Sequence, residues 1–354
     1  MKPAGIILII LGVIAGILAF VAPVLGAGAA ISEVNSTDTT TYAEGTLPKL
    51  LNASKLLSSP TDPYDTNVPF KQTRVTKANQ EAMSQQAAKD AGATIFDTTA
   101  TTVRTDTNET LTASGAVYAF DPANSNLINC CGAKLVTTDT AGKSSDVTNI
   151  NFTGQMPLKF PFGSPQSDVQ YWSDTLQAPA TAKYDGEVQQ YGMTLYHYTQ
   201  NIPPTKTPAA PLQVPAALAK GAVGAIAPNL ADKVPAEGNL SLYEWYTASN
   251  EFFVEPLTGQ IVNGTVNDKT TFRIDGADQD ILTKVETKGG SANVEAGAAD
   301  IKSSADQLKM VGMATPILLG LGVLLLIIGI VLLVMGGKRK KAKAAAAAAG
   351  AANQ

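Results

Sequence analysis

The sequence predicts a mainly antiparallel β domain of the α+β class, flanked by an N-terminal and a C-terminal transmembrane helix. Three observations lead to this fold class. Long apolar runs lie near both ends of the 354-residue chain. The residues between them form short runs of alternating apolar and polar character, separated by turn-forming residues. Two of these runs share a hairpin pattern, so a pair of tandem β units is a further reading of the same domain.

The C-terminal apolar run, Ala314 to Met335, predicts a transmembrane helix over residues 312–336. It contains no charged residue. A helix of 20 residues spans ~30 Å, which is the thickness of a bilayer core. A core helix of a globular protein keeps a polar face, and this run has none.

The N-terminal apolar run, Gly5 to Ala30, has two readings. Residues 1–30 can form an uncleaved transmembrane anchor, because the run is long and uncharged. They also fit a signal peptide, because Lys2 precedes the run and Ala27 to Ala29 resembles an A-x-A cleavage site. Both readings deliver the residues that follow across the membrane.

Basic residues predict the orientation of the chain. The segment "GKRKKAK", Gly337 to Lys343, follows the second apolar run directly, and Lys2 lies before the first. Because basic flanks stay in the cytoplasm, we expect a two-pass protein of the cell membrane with both termini inside. Residues 31–311 then form an extracytoplasmic domain, and residues 337–354 form a basic, alanine-rich cytoplasmic tail that lies near membrane lipids.

The predicted outer domain is acidic. Six of the 26 basic residues lie outside residues 31–311, so this region has 20 basic and 30 acidic residues and a net charge of −10. An acidic domain argues against nucleic acid as a partner.

Strand and helix patterns divide the outer domain. Alternating segments predict strands, and these are "TLYHYTQ" (194–200), "SLYEWYT" (241–247), "EFFVEP" (251–256) and "TTFRID" (270–275). Helices are predicted at residues 79–92 and 215–233, and a third at 278–311 leads into the second membrane segment. A proline-rich connection, residues 201–215, is expected to be extended. Two halves, residues 31–150 and 151–277, would be the tandem units.

A weak internal repeat supports the tandem reading. The segment "FDPANSNLIN" (120–129) aligns without gaps with "VEPLTGQIVN" (254–263). Each copy reads as a strand, an acidic-proline turn and a second strand, because Pro fixes φ in the turn and Ser or Gly closes it. Two similar hairpins that arose independently would explain the same match.

Several motifs resemble an actinobacterial membrane-protein family of unknown function whose members are often labelled "porin PorA family". The motifs are "FPF" (160–162), "YWSD" (171–174), "YDGEVQQYGMTLY" (184–196), "VEPLTGQIVNG" (254–264) and "NCCGA" (129–133), together with the two terminal helices. The resemblance implies a two-helix membrane protein. It implies no specific reaction, since the family has no settled activity.

The sequence favours a protein that is not an enzyme and uses no cofactor or metal. His197 is the one histidine, and it lies within a predicted strand, where a structural role is the ordinary one. The chain has no G-x-S-x-G, P-loop or dinucleotide-binding motif. A zinc site of the usual kind would lack ligands.

Aromatic residues concentrate between residues 158 and 272. They line either an ordinary sheet core or a concave apolar surface for a ligand. The candidate ligand-binding residues are Phe160, Phe162, Tyr171, Trp172, Tyr196, Tyr198, Trp245 and Phe253. The first functional hypothesis is therefore binding or transfer of an envelope lipid or another hydrophobic ligand. The alternative is a channel or structural envelope protein that forms a homo-oligomer through its transmembrane helices, with Gly320, Gly322 and Gly329 at the contact.

The two cysteines, Cys130 and Cys131, are adjacent. On a regular strand their side chains would point to opposite faces. A bond between them requires that the strand breaks, and Gly132 supplies the flexibility for such a turn. A vicinal disulfide, two free thiols and an intermolecular bridge all remain open.

Overall fold

The chain consists of a helical unit and a β unit. A computed structural model describes residues 2–138 and 143–351, with side chains for residue 4 and residues 6–335 of these. The helical unit comprises Met1–Ser32 and Ser304–Gln354, and the β unit comprises Glu33–Ser303. The predicted fold class is confirmed: a mostly antiparallel sheet is accompanied by long apolar helices at both ends of the chain.

The helical unit is built from α1 (Lys2–Val34) and from α6 (Val294–Ala351), which enters this unit at Ser304. Both are long and apolar enough to cross a membrane, and within the described residues no further helix meets that criterion. Large apolar side chains such as Phe20 (73% exposed), Val24 and Ile317 are open to the surroundings. A bilayer would cover such side chains. The basic residues of the tail lie outside the described side chains.

Small residues bring α1 and α6 into close contact. A Cβ atom added to Gly322 would lie 2.9 Å from the carbonyl oxygen of Gly12 and 3.6 Å from Cβ of Ala15. Ala19, one turn further along α1, is fully buried. Small side chains allow helix backbones to approach within a membrane, where dispersion contacts rather than water drive packing. The Gly322 face of α6 is thus occupied by α1 of the same chain.

Thirteen strands form one sheet in which every strand pairing is antiparallel. They are β1 (Asp38–Leu51), β2 (Tyr64–Ala78), β3 (Thr94–Arg104), β4 (Thr110–Phe120), β5 (Lys134–Thr138), β6 (Ser144–Val147), β7 (Val169–Ser173), β8 (Ala178–Gln190), β9 (Met193–Lys206), β10 (Leu212–Pro215), β11 (Asn239–Val254), β12 (Ile261–Ile274) and β13 (Leu282–Ala292). Their order is β6-β5-β4-β3-β2-β1-β13-β12-β11-β9-β8-β7, with β10 beside β11.

Alternating burial fixes the inner face of the sheet. In β11, Leu242, Tyr246 and Asn250 are buried, whereas Tyr243 and Ser249 are not. Successive side chains of a strand point to opposite faces, so this period of two orients the whole strand.

Single-residue bridges join the two sides of the sheet at one end. Phe120 at the end of β4 pairs with Leu127, the neighbouring Asn126 pairs with Gln155, and Gln155 pairs with Tyr171 of β7. These bridges connect β4 to β7 and so close a ring of backbone pairing. Closure satisfies edge groups that would otherwise be unpaired.

Short helices cover parts of the sheet. They are α2 (Ala53–Ser58), α3 (Gln80–Ser84), α4 (Gln86–Ala91), α5 (Ala216–Ile226) and a 3-10 helix at Pro228–Lys233. Asn52 and Asn79 cap the amino ends of α2 and α3 by accepting backbone N–H groups. The predicted helices at residues 79–92 and 215–233 therefore have counterparts, each in two pieces.

The predicted helix at residues 278–311 is wrong in its first part. Residues 282–292 form β13, and the helix begins only at Val294. Gly289 is the reason for a strand here: a Cβ atom at this position would lie 2.8 Å from Cζ of Phe70, so the glycine permits close packing across the sheet. The two predicted halves, residues 31–150 and 151–277, share one continuous sheet.

The helix contact predicts a specific disulfide. In an Ala15→Cys, Gly322→Cys variant the two Cβ atoms would lie at a separation typical of disulfides. We expect the two cysteines to oxidise spontaneously to an intramolecular disulfide in membranes. After a protease has cleaved the outer domain, the two membrane fragments should stay linked until the disulfide is reduced. The link also requires that α1 is retained after export.

The matched control is Ala15→Cys with Gly320→Cys. No atom lies within 4 Å of a Cβ atom built at Gly320, so this pair should remain unlinked. Equal linkage in both variants, or loss of the N-terminal fragment after Ala29, would contradict the helix pair.

Candidate functional site

The two acidic-proline turns have the same hydrogen bonds. In each turn the backbone N–H of the acidic residue donates to the carbonyl of the residue five positions later. Its own carbonyl accepts from the N–H of the residue four positions later, and that residue has a positive φ. In the first turn the N–H of Asp121 donates to Asn126 (2.9 Å) and the N–H of Ser125 donates to Asp121 (2.8 Å). In the second turn the N–H of Glu255 donates to Gln260 (2.9 Å) and the N–H of Gly259 donates to Glu255 (2.9 Å). The aligned segments therefore share local structure as well as sequence.

The segment of residues 156–164, which contains "FPF", lies between these turns. The N–H of Phe160 donates to the carbonyl of Gly259 (2.8 Å), and the hydroxyl of Ser125 donates to the carbonyl of Phe160 (2.9 Å). A Cβ atom at Gly259 would lie 2.1 Å from that same Phe160 oxygen. Because only glycine fits there, Gly259 allows the second turn to pack directly against the backbone of Phe160.

Lys159 is buried in this segment at 7% exposure. Its Nζ donates to the carbonyl of Phe160 (2.9 Å) and lies 3.8 Å from the ring centre of Phe162. No ion pair of Lys159 occurs among the described residues. Burial therefore lowers the pKa of this amine to about 7.

The "YWSD" motif forms a carboxylate site. The Tyr118 hydroxyl donates to Asp174 Oδ2 (2.6 Å), and the Trp172 indole N–H donates to Oδ1 (2.9 Å). Although the residue as a whole is exposed, protein atoms crowd its carboxylate. The loss of water raises the pKa of Asp174, and both donors and the charge of Arg74 offset part of this rise.

A second inward-facing carboxylate is also occupied. The Tyr246 hydroxyl donates to Asp268 Oδ2 (3.2 Å), and burial raises the pKa of Asp268. Asn250, which lies on β11 with Tyr246, donates from its side-chain amide to Gln200 Oε1 (3.1 Å). The hydroxyl of Tyr246 and the side-chain N–H of Asn250 are thus paired inside the sheet, whereas the buried Asn250 Oδ1 has no hydrogen-bond partner among the described residues.

Most of the predicted aromatic residues pack against one another. Phe160, Tyr171 and Tyr198 are buried in one cluster, where the rings of Phe160 and Tyr171 stack at 5.1 Å. Trp172 is buried in a different cluster, and Tyr196 and Phe162 pack at the margins of these two clusters. The structure thus brings these residues together as packed core.

Trp245 and Phe253 lie apart from that core. The guanidinium of Arg273 lies 4.5 Å from the Trp245 ring centre, and Phe253 stacks on His197 at 4.8 Å. The His197 Nε2 atom is 3.8 Å from Glu251, beyond hydrogen-bond distance. Within the described residues no group of three or more His, Cys, Asp or Glu side chains is placed to hold a metal.

A groove lies between β8 and β9 on the surface of the sheet. Its volume is about 520 Å³. It is lined by Gln170, Leu176, Ala178, Pro179, Ala180, Thr181, Asn201, Ile202, Pro203, Thr205 and Lys206. None of the eight predicted aromatic residues lines it, so the aromatic pattern of the sequence did not indicate this cavity.

Two prolines contribute to the opening. The β8–β9 ladder ends at Lys183 and Thr199. Continued in the same register, it would place Pro179 opposite Pro203, where neither residue has an N–H to donate. The strands therefore separate, and each remains paired only on its other side, β8 with β7 and β9 with β11. Prolines at matching distances from a hairpin are the sequence signal that could have indicated this groove.

Cys130 and Cys131 are joined by a disulfide in the structure. Cys131 (φ 60°) and Gly132 (φ 81°) turn the backbone out of a strand at this point. The pair packs against Ala88 and Ile95, which belong to a small core beneath α3 and α4. The disulfide lies at the end of the first hairpin, away from the β8–β9 groove in sequence, and closes a turn.

Lys159 predicts a pH dependence of stability. Its pKa is about 7 when folded and near 10.5 when unfolded, so the unfolded chain binds more protons between these values. The free energy of unfolding should then rise with pH between 7 and 10.5, by about 1.4 kcal/mol per unit at most. Denaturation of the full chain in detergent, followed by tryptophan fluorescence, measures this slope.

A Lys159→Met variant should lose that slope, because it retains the apolar stem and lacks the amine. Lys183→Met is the control, since the Lys183 side chain is 68% exposed. An unchanged slope in Lys159→Met would show that the amine is not responsible.

Comparison with known proteins identifies a family for this chain. The family model described as Porin PorA matches residues 4–331, which include most of α1, the whole β unit and α6 as far as Val331. No curated protein matches the chain. With the two long apolar helices, the match identifies a membrane protein. The chain belongs to the Porin PorA family.

Proposed function

We propose that this membrane protein acts by binding and not by catalysis, and that it holds a hydrophobic ligand in the β8–β9 groove. The observation that carries the proposal is the groove itself, a cavity of about 520 Å³ where β8 and β9 are not paired with each other. Cavities of ~300–1,000 Å³ with apolar walls and few polar groups are typical of ligand sites.

The lining of the groove supports an apolar ligand. Leu176 and Ile202 pack into a small cluster beneath it, and Ala180 adds an apolar wall. Thr181, Asn201 and Lys206 provide polar groups at its margin. An envelope lipid, as predicted from the sequence, is one source of such apolar groups.

The anchor gives this proposal its setting. We place both termini in the cytoplasm and the β unit outside. The reason is that basic residues lie before the first apolar run and after the second, at the ends that face away from the β unit in the sequence. In that arrangement α1 and α6 hold the β unit at the membrane, where hydrophobic ligands are concentrated.

Photo-crosslinking tests the site. The full chain in nanodiscs is exposed to a palmitic acid that bears a diazirine, and labelled peptides are mapped by mass spectrometry. We expect labelling at residues 170–182 or 200–206 and about a fivefold loss in Leu176→Glu, because a charge in the apolar wall opposes an acyl chain.

The matched control is Leu257→Glu. Leu257 is 40% exposed and lies in the second acidic-proline turn, outside the groove lining. Labelling confined to α1 and α6, or equal loss in both variants, would contradict the proposed site.

An oligomeric channel is the second candidate, because the family description includes the word porin. Neither apolar run contains an ionisable residue to line a water path. Gly322, a predicted oligomer contact, packs against α1 of its own chain. We expect no conductance in planar bilayers. Conductance steps that disappear in Gly322→Leu would favour the channel over the binding protein.

A further inference from the structure

We infer that the ligand of the β8–β9 groove is an extended polypeptide segment that adds as a strand between β8 and β9. The inference rests on the proposed function and names the class of its ligand. It follows from the direction of the backbone groups along the two separated strands, which can be worked out from their other hydrogen bonds.

On β8, the backbone N–H and C=O groups of the odd-numbered residues face the groove. The backbone N–H of Tyr184 donates to the carboxylate of Asp168, which lies on the side of β7. The backbone N–H and C=O of the adjacent residue, Lys183, therefore face β9. In the same alternation Ala180 and Ala182 face β7, where they pair with Tyr171 and Val169. The backbone N–H and C=O of Thr181 and the C=O of Pro179 therefore face the groove.

On β9, Asn201 has the matching orientation. Thr199 pairs with Lys183, so its backbone N–H and C=O face β8. The register of β9 with β11 is regular from Thr199 to Ile202, so the alternation of backbone groups continues through these residues. The N–H and C=O of Asn201 therefore also face the groove. In the part of the chain that the structure describes, no β8–β9 ladder pair uses these groups of Thr181 and Asn201.

Backbone groups of this kind match another backbone better than an acyl chain. Unpaired N–H and C=O groups along a strand edge are the template for strand addition. An acyl chain in the groove would leave the groups of Thr181 and Asn201 without partners. Since β8 and β9 run antiparallel, an inserted strand would be parallel to one and antiparallel to the other.

The groove also constrains the sequence of the ligand. The carbonyls of Pro179, Thr181 and Asn201 outnumber the N–H groups of Thr181 and Asn201, so the ligand must donate several N–H groups, and proline does not fit at those donor positions. Residues 178–182 span ~17 Å, the length of about five strand residues. Leu176 and Ile202 form an apolar wall, which favours apolar side chains at alternate positions.

A defined peptide tests the inference on the full chain in nanodiscs. The probe is fluorescein-labelled Lys-Thr-Val-Thr-Val-Thr-Lys with blocked ends, measured by fluorescence anisotropy. Its control is the same peptide with N-methyl groups on alternate residues, which retains the side chains but loses N–H donors. We expect binding of the first peptide and at least tenfold weaker binding of the second.

Amide hydrogen exchange locates the bound peptide. The N–H groups of Thr181 and Asn201 should exchange at least tenfold more slowly with the peptide present, whereas residues of β1 should be unaffected. Asn201→Pro removes one groove-facing donor without loss of a β11 ladder bond, and Asn201→Ala removes the same side chain but keeps the donor. We expect about threefold to tenfold weaker peptide binding in Asn201→Pro than in Asn201→Ala.

The outcomes separate the inference from the proposed function. Groove labelling by the fatty acid with no peptide protection at Thr181 and Asn201 would overturn the polypeptide ligand and leave the binding function standing. Absence of both signals would overturn both. If Asn201→Pro does not fold, the N-methylated peptide still decides with the unmodified chain: equal affinity of the two peptides would overturn strand addition.

Discussion

The antiparallel pairing of β1 with β13 is the constraint on which the rest of the β unit depends. β1 follows α1 and β13 precedes α6, and their residues pair from Tyr42 with Ala292 to Leu50 with Val285. Gly45 makes the approach feasible, since a Cβ atom there would lie 2.2 Å from the Lys288 carbonyl oxygen. Without this pairing the ring would open between β1 and β13, and both strands would become exposed edges.

Backbone hydrogen bonds decide which conspicuous residues are structural. Residues 156–164 lie between two turns of equal geometry, and Phe160 bonds to residues of both. Phe160 also stacks on Tyr171 and packs against Tyr198, so the aromatic motifs fill the space that the ring of bridges encloses. The family motifs therefore describe how this β unit closes and packs.

The candidate site arises where the same pairing fails. Pro179 and Pro203 lack the donors that would continue the β8–β9 ladder, so the sheet opens between them while both strands stay paired on their outer sides. Within the ring of paired strands this opening leaves backbone groups of two facing strands without ladder partners. A ligand could bind to these groups without breaking the pairing of β8 with β7 or of β9 with β11.

Length, alternation and proline position act locally, and they were enough to predict the two apolar helices, the antiparallel class and the two similar turns. The sequence did not separate β13 from the helix beginning at Val294, since Gly289 has meaning only against Phe70, more than 200 residues away. Nor could it tell packed aromatic residues from a ligand surface. Tertiary structure decided that by pairing distant strands, which buried Phe160 and Tyr198 and left Thr181 and Asn201 facing an open groove.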